Sequence, residues 1–222
     1  GVRRIQLNAF MPPASLSRRY EIAAWLAGRL AYELAQWHEI AQWNGFQSVP
    51  GFSEEISAFS PEDLYSNLLG ARLAISVILH GHAGSVDDYN RAMDVALKKV
   101  LVKLMVAPRS ETESMFRKLD GDWWNSQRRV PDKFLVLKRN YDMSDDRLPT
   151  PVPFERTTPW RLTLPQTVDG FSLAELGQLQ IHPGQDMQML PVPETFYTPG
   201  QFQGLADRAE RADQTQLERI EK

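Results

Sequence analysis

The stretch RRYEIAAWLAGRLAYELAQWHEIAQWN, residues 18–44, decides the fold. Ile22, Leu26, Leu30, Leu34, Trp37 and Ala41 recur along it at helical spacing, and Asn44-Gly45 supplies a helix stop. At about 100° per residue, Trp25, Tyr32 and Trp43 form a second stripe, while Ala24, Ala27, Ala31 and Ala35 line a third face. Apolar surface thus wraps nearly the whole helix. Such a helix is expected at the centre of a bundle, its alanine face letting a neighbour's backbone come close. Within it the sequence sets His38 beside Glu39. An isolated buried charge costs many kcal/mol, so ionisable groups there are expected to be paired, ligated or functional.

Downstream, residues 46–60 are rich in Gly, Ser, Pro and Phe and form a loop long enough to be structured over a site. Ser60-Pro61-Glu62-Asp63 reads as an N-cap, a first-turn proline and acids facing the positive end of a helix dipole, opening a second helix that runs to about Leu79. A third helix starts after Ser85 and continues through Leu104 until Pro108, and Ser110-Glu111-Thr112-Glu113 caps a shorter fourth. After Asp120 the texture changes. Lys133 to Arg139 alternates as a short strand, and prolines 149, 151, 153, 159 and 165 forbid a continuous helix or central strand, which predicts an extended wrap. Ser172-Leu173-Ala174-Glu175 is a capping-box pattern opening a short helix. The polar segment from Gln201 to Lys222, with its weak helical repeat, is expected as a solvated helix or a partner-docking arm.

The fold class is therefore mainly α: a helical bundle around a central buried helix, with a proline-rich C-terminal wrap and a small β element. Residues 1–120 form the helical core, 121–200 the wrap of the same domain, and 201–222 a polar C-terminal helix or tail. At 222 residues and 42% hydrophobic content the chain can fill one sizeable core. A net charge of −3, with 25 basic and 28 acidic residues, gives no excess to attract nucleic acid or an anionic membrane. No apolar run spans a bilayer, because Arg29, Glu33, His38 and Glu39 interrupt the longest candidate, so a soluble chain is expected. Without cysteine there is no thiolate zinc site, and any metal would use His, Asp or Glu. The chain opens at Gly1 without an initiator Met, the pattern of a processed or trimmed chain.

His38 and Glu39 begin like the zinc-protease pattern of two histidines one turn apart, but position 42 is Gln. His38 then joins ligands from other elements, or it is a buried imidazole fixing helix packing. Glu33, one turn after Arg29, is either half of a structural ion pair or a carboxylate that orients His38. From the loop, Glu54 is the candidate to complete a His/Glu set of His38, Glu33 and Glu54 for a divalent metal such as zinc. Glu62 and Asp63 are accounted for as helix-start acids. His80-Gly81-His82 looks like a metal pair but reads as a helix end, with an imidazole at the negative dipole end and a left-handed glycine stop. His182 beside Pro183-Gly184 reads as a turn residue, and Trp123-Trp124 as core or lid packing rather than a carbohydrate cleft. The serines lie in no nucleophile-elbow pattern, and there is no phosphate-cradling loop.

Residues 37–67, with Trp37-His38-Glu39-Ile40, Ser48-Val49-Pro50-Gly51-Phe52-Ser53-Glu54 and Ala58-Phe59-Ser60-Pro61-Glu62-Asp63-Leu64-Tyr65-Ser66-Asn67, resemble a bacterial family of unknown function, number four-zero-five-six. Gly121-Asp122-Trp123-Trp124 and Lys138-Arg139-Asn140-Tyr141 are similar to its later segments, so the likeness covers about two thirds of the chain. The resemblance implies exported or lipid-anchored proteins of the periplasm or cell envelope, and no established activity. It also implies a His-containing segment upstream of the first helix, whereas no histidine precedes His38 here. Two functions follow: a polar pocket with His38 and Glu39 as catalytic residues of a metal-dependent hydrolase, or a non-catalytic envelope scaffold or interaction protein.

Overall fold

A computed structural model describes residues 1–152, 159–187 and 189–220. In chain order the elements are β1 (Val2–Leu7), α1 (Leu16–Trp43), α2 (Asp63–Leu79), α3 (Val86–Lys103), α4 (Arg109–Lys118), β2 (Asp146–Arg147), β3 (Leu162–Thr163), β4 (Thr167–Val168), β5 (Phe171–Ser172), α5 (Leu173–Leu176), β6 (Gly177–His182) and α6 (Phe202–Ile220). The protein is mainly α with small antiparallel sheets, pairing β1 with β6, β2 with β3, and β4 with β5. The longest helix, α1, packs against α2, α6, α5, β4 and β6, and its Leu30, Tyr32, Trp37 and Ile40 lie in the main core.

The alanine face does not do what its composition suggests. Ala27 and Ala31 are exposed, and α2 instead comes closest at Gly28, where a Cβ would collide with Ile75. The reason is geometric: Gly28 lies on the buried side, and removing its side chain admits the branched Ile75. The second helix begins at Asp63 rather than at Pro61, because the Ser60 hydroxyl donates back to Ser57 O instead of capping it. Ser85 does cap α3, accepting from Asp88 N at 3.1 Å, but that helix ends at Lys103, where Met105 adopts a left-handed φ of 52°. Its successor α4 starts at Arg109, placing Ser110 inside the helix, and Ser172 precedes α5 without a side-chain cap bond. His80 and Gly81 end α2 as expected, with Gly81 at φ 87°.

Lys133 to Arg139 is not a strand. Asp132 accepts from Phe134 N at 2.9 Å and starts a 3-10 turn over Lys133–Leu135, and only Val136 makes a bridge, to Trp124. Beyond it the wrap follows α1 and α2. Pro149, Pro151, Pro159 and Pro165 lie in irregular chain as expected, and Pro153 lies outside the described residues. Outside its short β2–β3 and β4–β5 ladders, this chain has carbonyls met by helix side chains: Tyr32 Oη donates to Ser144 O at 2.8 Å, Tyr65 Oη to Trp160 O at 2.8 Å, and Gln36 Nε2 to Met143 O.

The C-terminal segment is a helix with one buried face. Phe202, Ala206, Ala209 and Asp213 share it, and Phe202 packs on Trp37 with ring centroids 5.6 Å apart. The small alanines bring α6 close to α1, which carries Asp213 into the interior at 3% exposure. Its carboxylate accepts from Trp43 Nε1 at 3.0 Å, Lys133 Nζ at 2.8 Å and Tyr141 Oη at 2.7 Å. Removing one partner of a buried ionic network leaves the others unanswered, at about 3 to 5 kcal/mol. Asp213→Ala is therefore expected to lower unfolding free energy by about that amount, read by urea denaturation. A loss below about 1 kcal/mol would show that this anchor contributes little.

Candidate functional site

Consecutive helical residues point about 100° apart, so His38 and Glu39 cannot share one environment. Glu39 turns into the core at 2% exposure and accepts from Phe59 N at 2.7 Å. That amide belongs to a left-handed residue, φ 58°, whose conformation ends the loop ahead of α2. Burial, with Asp63 and Glu62 nearby, pushes the Glu39 carboxyl up to about 8, against the Phe59 amide and Arg139, which favour its charged form. Asp63 is itself raised to about 6 by burial and by Glu62.

His38 is not buried as the sequence pattern suggests: its side chain is 43% exposed. It faces the 46–60 loop, where its ring meets Phe46 edge-on at 5.6 Å and its Nε2 lies 3.7 Å from Glu54 Oε2. Glu54 organises that loop by accepting from Ser48 N at 2.9 Å through Oε1 and from Gln42 Nε2 at 3.0 Å through Oε2. These bonds from Ser48 and Gln42, with a smaller contribution from His38, hold its carboxyl below the ordinary range. Arg139 closes the loop's far end, donating to Ala58 O, Glu55 O and Lys133 O. Phe46 also lines a cavity of about 480 Å³ together with Arg3, Trp37, Ala41 and Ile181.

The fold thus brings His38 and Glu54 together and separates Glu39 and Glu33 from them. Glu33, 6% exposed, accepts from Arg29 Nε at 2.8 Å and borders a different cavity. Among the described residues no three His, Cys, Asp or Glu side chains group as metal ligands, so the set His38, Glu33 and Glu54 is not assembled. The imidazole and carboxylate can hold or move a proton at the solvent boundary. Gln42 was legible in the sequence only as the residue that spoils the zinc-protease pattern. Its place one turn after His38 is the signal that it shares the same face, and here it fixes Glu54. Two other histidines are held locally: His80 Nδ1 lies 2.7 Å from Ser76 O and His82 Nδ1 lies 3.3 Å from Asp88 Oδ2. His182 is not a turn residue but the last residue of β6, opposite Val2, with its ring 5.2 Å from that of Phe196. Trp124 packs on Phe116 and donates to its carbonyl.

The family described as "Protein of unknown function (DUF4056)" matches residues 1–153, which hold this loop and both helices that frame it. The chain belongs to that family. No curated protein and no solved structure matches it. Among the described residues no helix is long and apolar enough to cross a membrane.

Glu39 makes stability depend on pH in a definite sense. Its folded value lies above the unfolded one, so the folded state binds the proton more tightly and stability falls as pH rises from about 4.5 to about 8. Relative to Glu39→Gln, whose amide oxygen can still accept from Phe59, the wild type is expected to lose up to about 1.4 kcal/mol per pH unit across that window. Parallel pH profiles of the two proteins in urea melts would refute the assignment.

Proposed function

We propose that this chain is a non-catalytic interaction module of the bacterial cell envelope. One contrast supports the reading. Glu39, Gln42 and Asp213 are buried polar groups engaged in holding loop or neighbouring chain, whereas the end of α3 and the turn after it leave large apolar side chains in solvent. Val102 is 76% exposed and Met105 and Val106 are each 61% exposed. Single exposed apolar residues are ordinary, but a run of them along one segment marks a contact surface. The envelope placement rests on the family resemblance.

A second reading, hydrolysis at His38, is favoured by a single observation: the imidazole reaches solvent with a fixed carboxylate 3.7 Å away. In that reading His38 is the general base, Glu54 its positioning partner and Glu39 a loop anchor. A bound zinc ion would have His38 and Glu54 as its protein ligands, fewer than the three of catalytic zinc centres.

A photo-crosslinking residue at position 102, introduced in the bacterium, is expected to give a discrete adduct. The same probe at the exposed Glu218 on α6 gives none, and Val102→Glu with Val106→Glu removes a position-101 adduct without lowering the melting temperature. Purified protein that instead hydrolyses esters or peptides, with the rate lost by at least about a hundredfold in His38→Ala, would replace the interaction reading with the second one.

A further inference from the structure

A second polar site lies about 140° around α1 from His38. Arg29, Tyr32, Glu33 and Gln36 of the helix, with Ser144 and Asp145 of the wrap, border a cavity of about 270 Å³. Several of its donors are engaged within the fold. Tyr32 and Gln36 donate to Ser144 O and Met143 O, and Arg29 donates to Glu33 Oε1 at 2.8 Å and to Gln166 Oε1 at 3.2 Å. Gln166 in turn donates to Asp145 Oδ2 at 2.8 Å.

The acceptors are not all answered. Glu33 Oε2 is buried and, among the described residues, accepts from no donor. Among the described residues the charged side chains bordering the cavity are Arg29, Glu33 and Asp145, two acids to one base. A ligand that fits must bring N–H or O–H donors and one positive charge. A neutral hydroxyl would answer the lone pairs and leave the charge. A hard divalent cation wants about six or more oxygens, more than this cavity presents once Met143 O and Ser144 O have accepted from Gln36 and Tyr32.

The geometry points to a binding site for a primary ammonium group, held between Glu33 and Asp145 with its hydrocarbon stem against Leu164 and Met143. Three N–H donors on one compact charge match the unmet oxygen of Glu33, the Asp145 carboxylate and one water. Burial already pushes the Glu33 carboxyl above its ordinary range, and a cation at Oε2 would act in the opposite direction. The site is separate from the contact surface and from the His38 pair, so it does not depend on which of those two readings holds.

Titration of the full chain with ethylammonium and with Nα-acetyl-lysine methylamide, followed through backbone amide shifts, tests it. Saturable shifts are expected at Ser144 and Gly200, weakened at least about tenfold in Glu33→Gln and in Asp145→Asn and unchanged in His38→Ala. Tighter binding of the lysine derivative identifies a partner's side chain as the source, and tighter binding of ethylammonium a small free amine; either supports the site. Absence of saturable shifts, an equal response to ethanol, a stronger response to calcium or magnesium, or affinity retained in either folded variant overturns it. Melting curves establish which variants are folded, and if one is not, the other decides.

Discussion

The structure depends on α1 meeting the hydrogen-bond needs of irregular chain that lies outside the short ladders. Tyr32, Gln36, Glu39 and Trp43 each reach out of the helix to irregular segments or to α6, and each bond ends on a backbone group or a buried carboxylate. A proline-rich wrap offers carbonyls without a full set of N–H groups, and burying them unpaired would cost about 1 to 3 kcal/mol each. The helix therefore carries polar residues on its inner side by necessity. They are what allows loop and wrap to lie against it at all.

This explains which parts could be read from the sequence. The spacing of Ile22, Leu30, Trp37 and their neighbours announces α1, and the Ser85 cap and the His80-Gly81 stop are local signals that the backbone obeys. Pairing of β1 with β6 was not legible, since Val2–Leu7 is exposed along its whole length and its partner lies about 175 residues away. Alternation at Lys133 to Arg139 was misleading for a related reason. Arg139 is fastened to the carbonyls of Glu55, Ala58 and Lys133, a tertiary demand that overrides a weak local preference.

The candidate site was legible as residue types and not as an arrangement. His38 and Glu54 do meet, because the 46–60 loop folds back on the helix that precedes it. That Glu39 and Glu33 take no part follows from the helix itself: one residue and five residues of rotation turn them away from the imidazole. Asp213 was hidden in a segment whose average polarity suggests solvent. Only the steps of four and three residues through Phe202, Ala206 and Ala209 reveal the stripe on which it lies, and two of those three side chains are too small to stand out.

Two glutamates of α1, six positions apart, make the contrast that separates structure from site. Both are almost fully buried, and burial raises both. At Glu39 the acceptor oxygen meets a backbone amide, so the group serves the fold, and its carbonyl oxygen can still accept that bond when burial protonates it. Glu33 differs in kind: Oε1 satisfies Arg29, Oε2 is buried and satisfies nothing among the described residues, and the residue borders a cavity. A packing requirement alone would be met by an amide or an apolar residue at lower cost, since an unanswered buried carboxylate oxygen opposes folding. The expense at position 33 makes physical sense where a cation arrives from outside to complete the set.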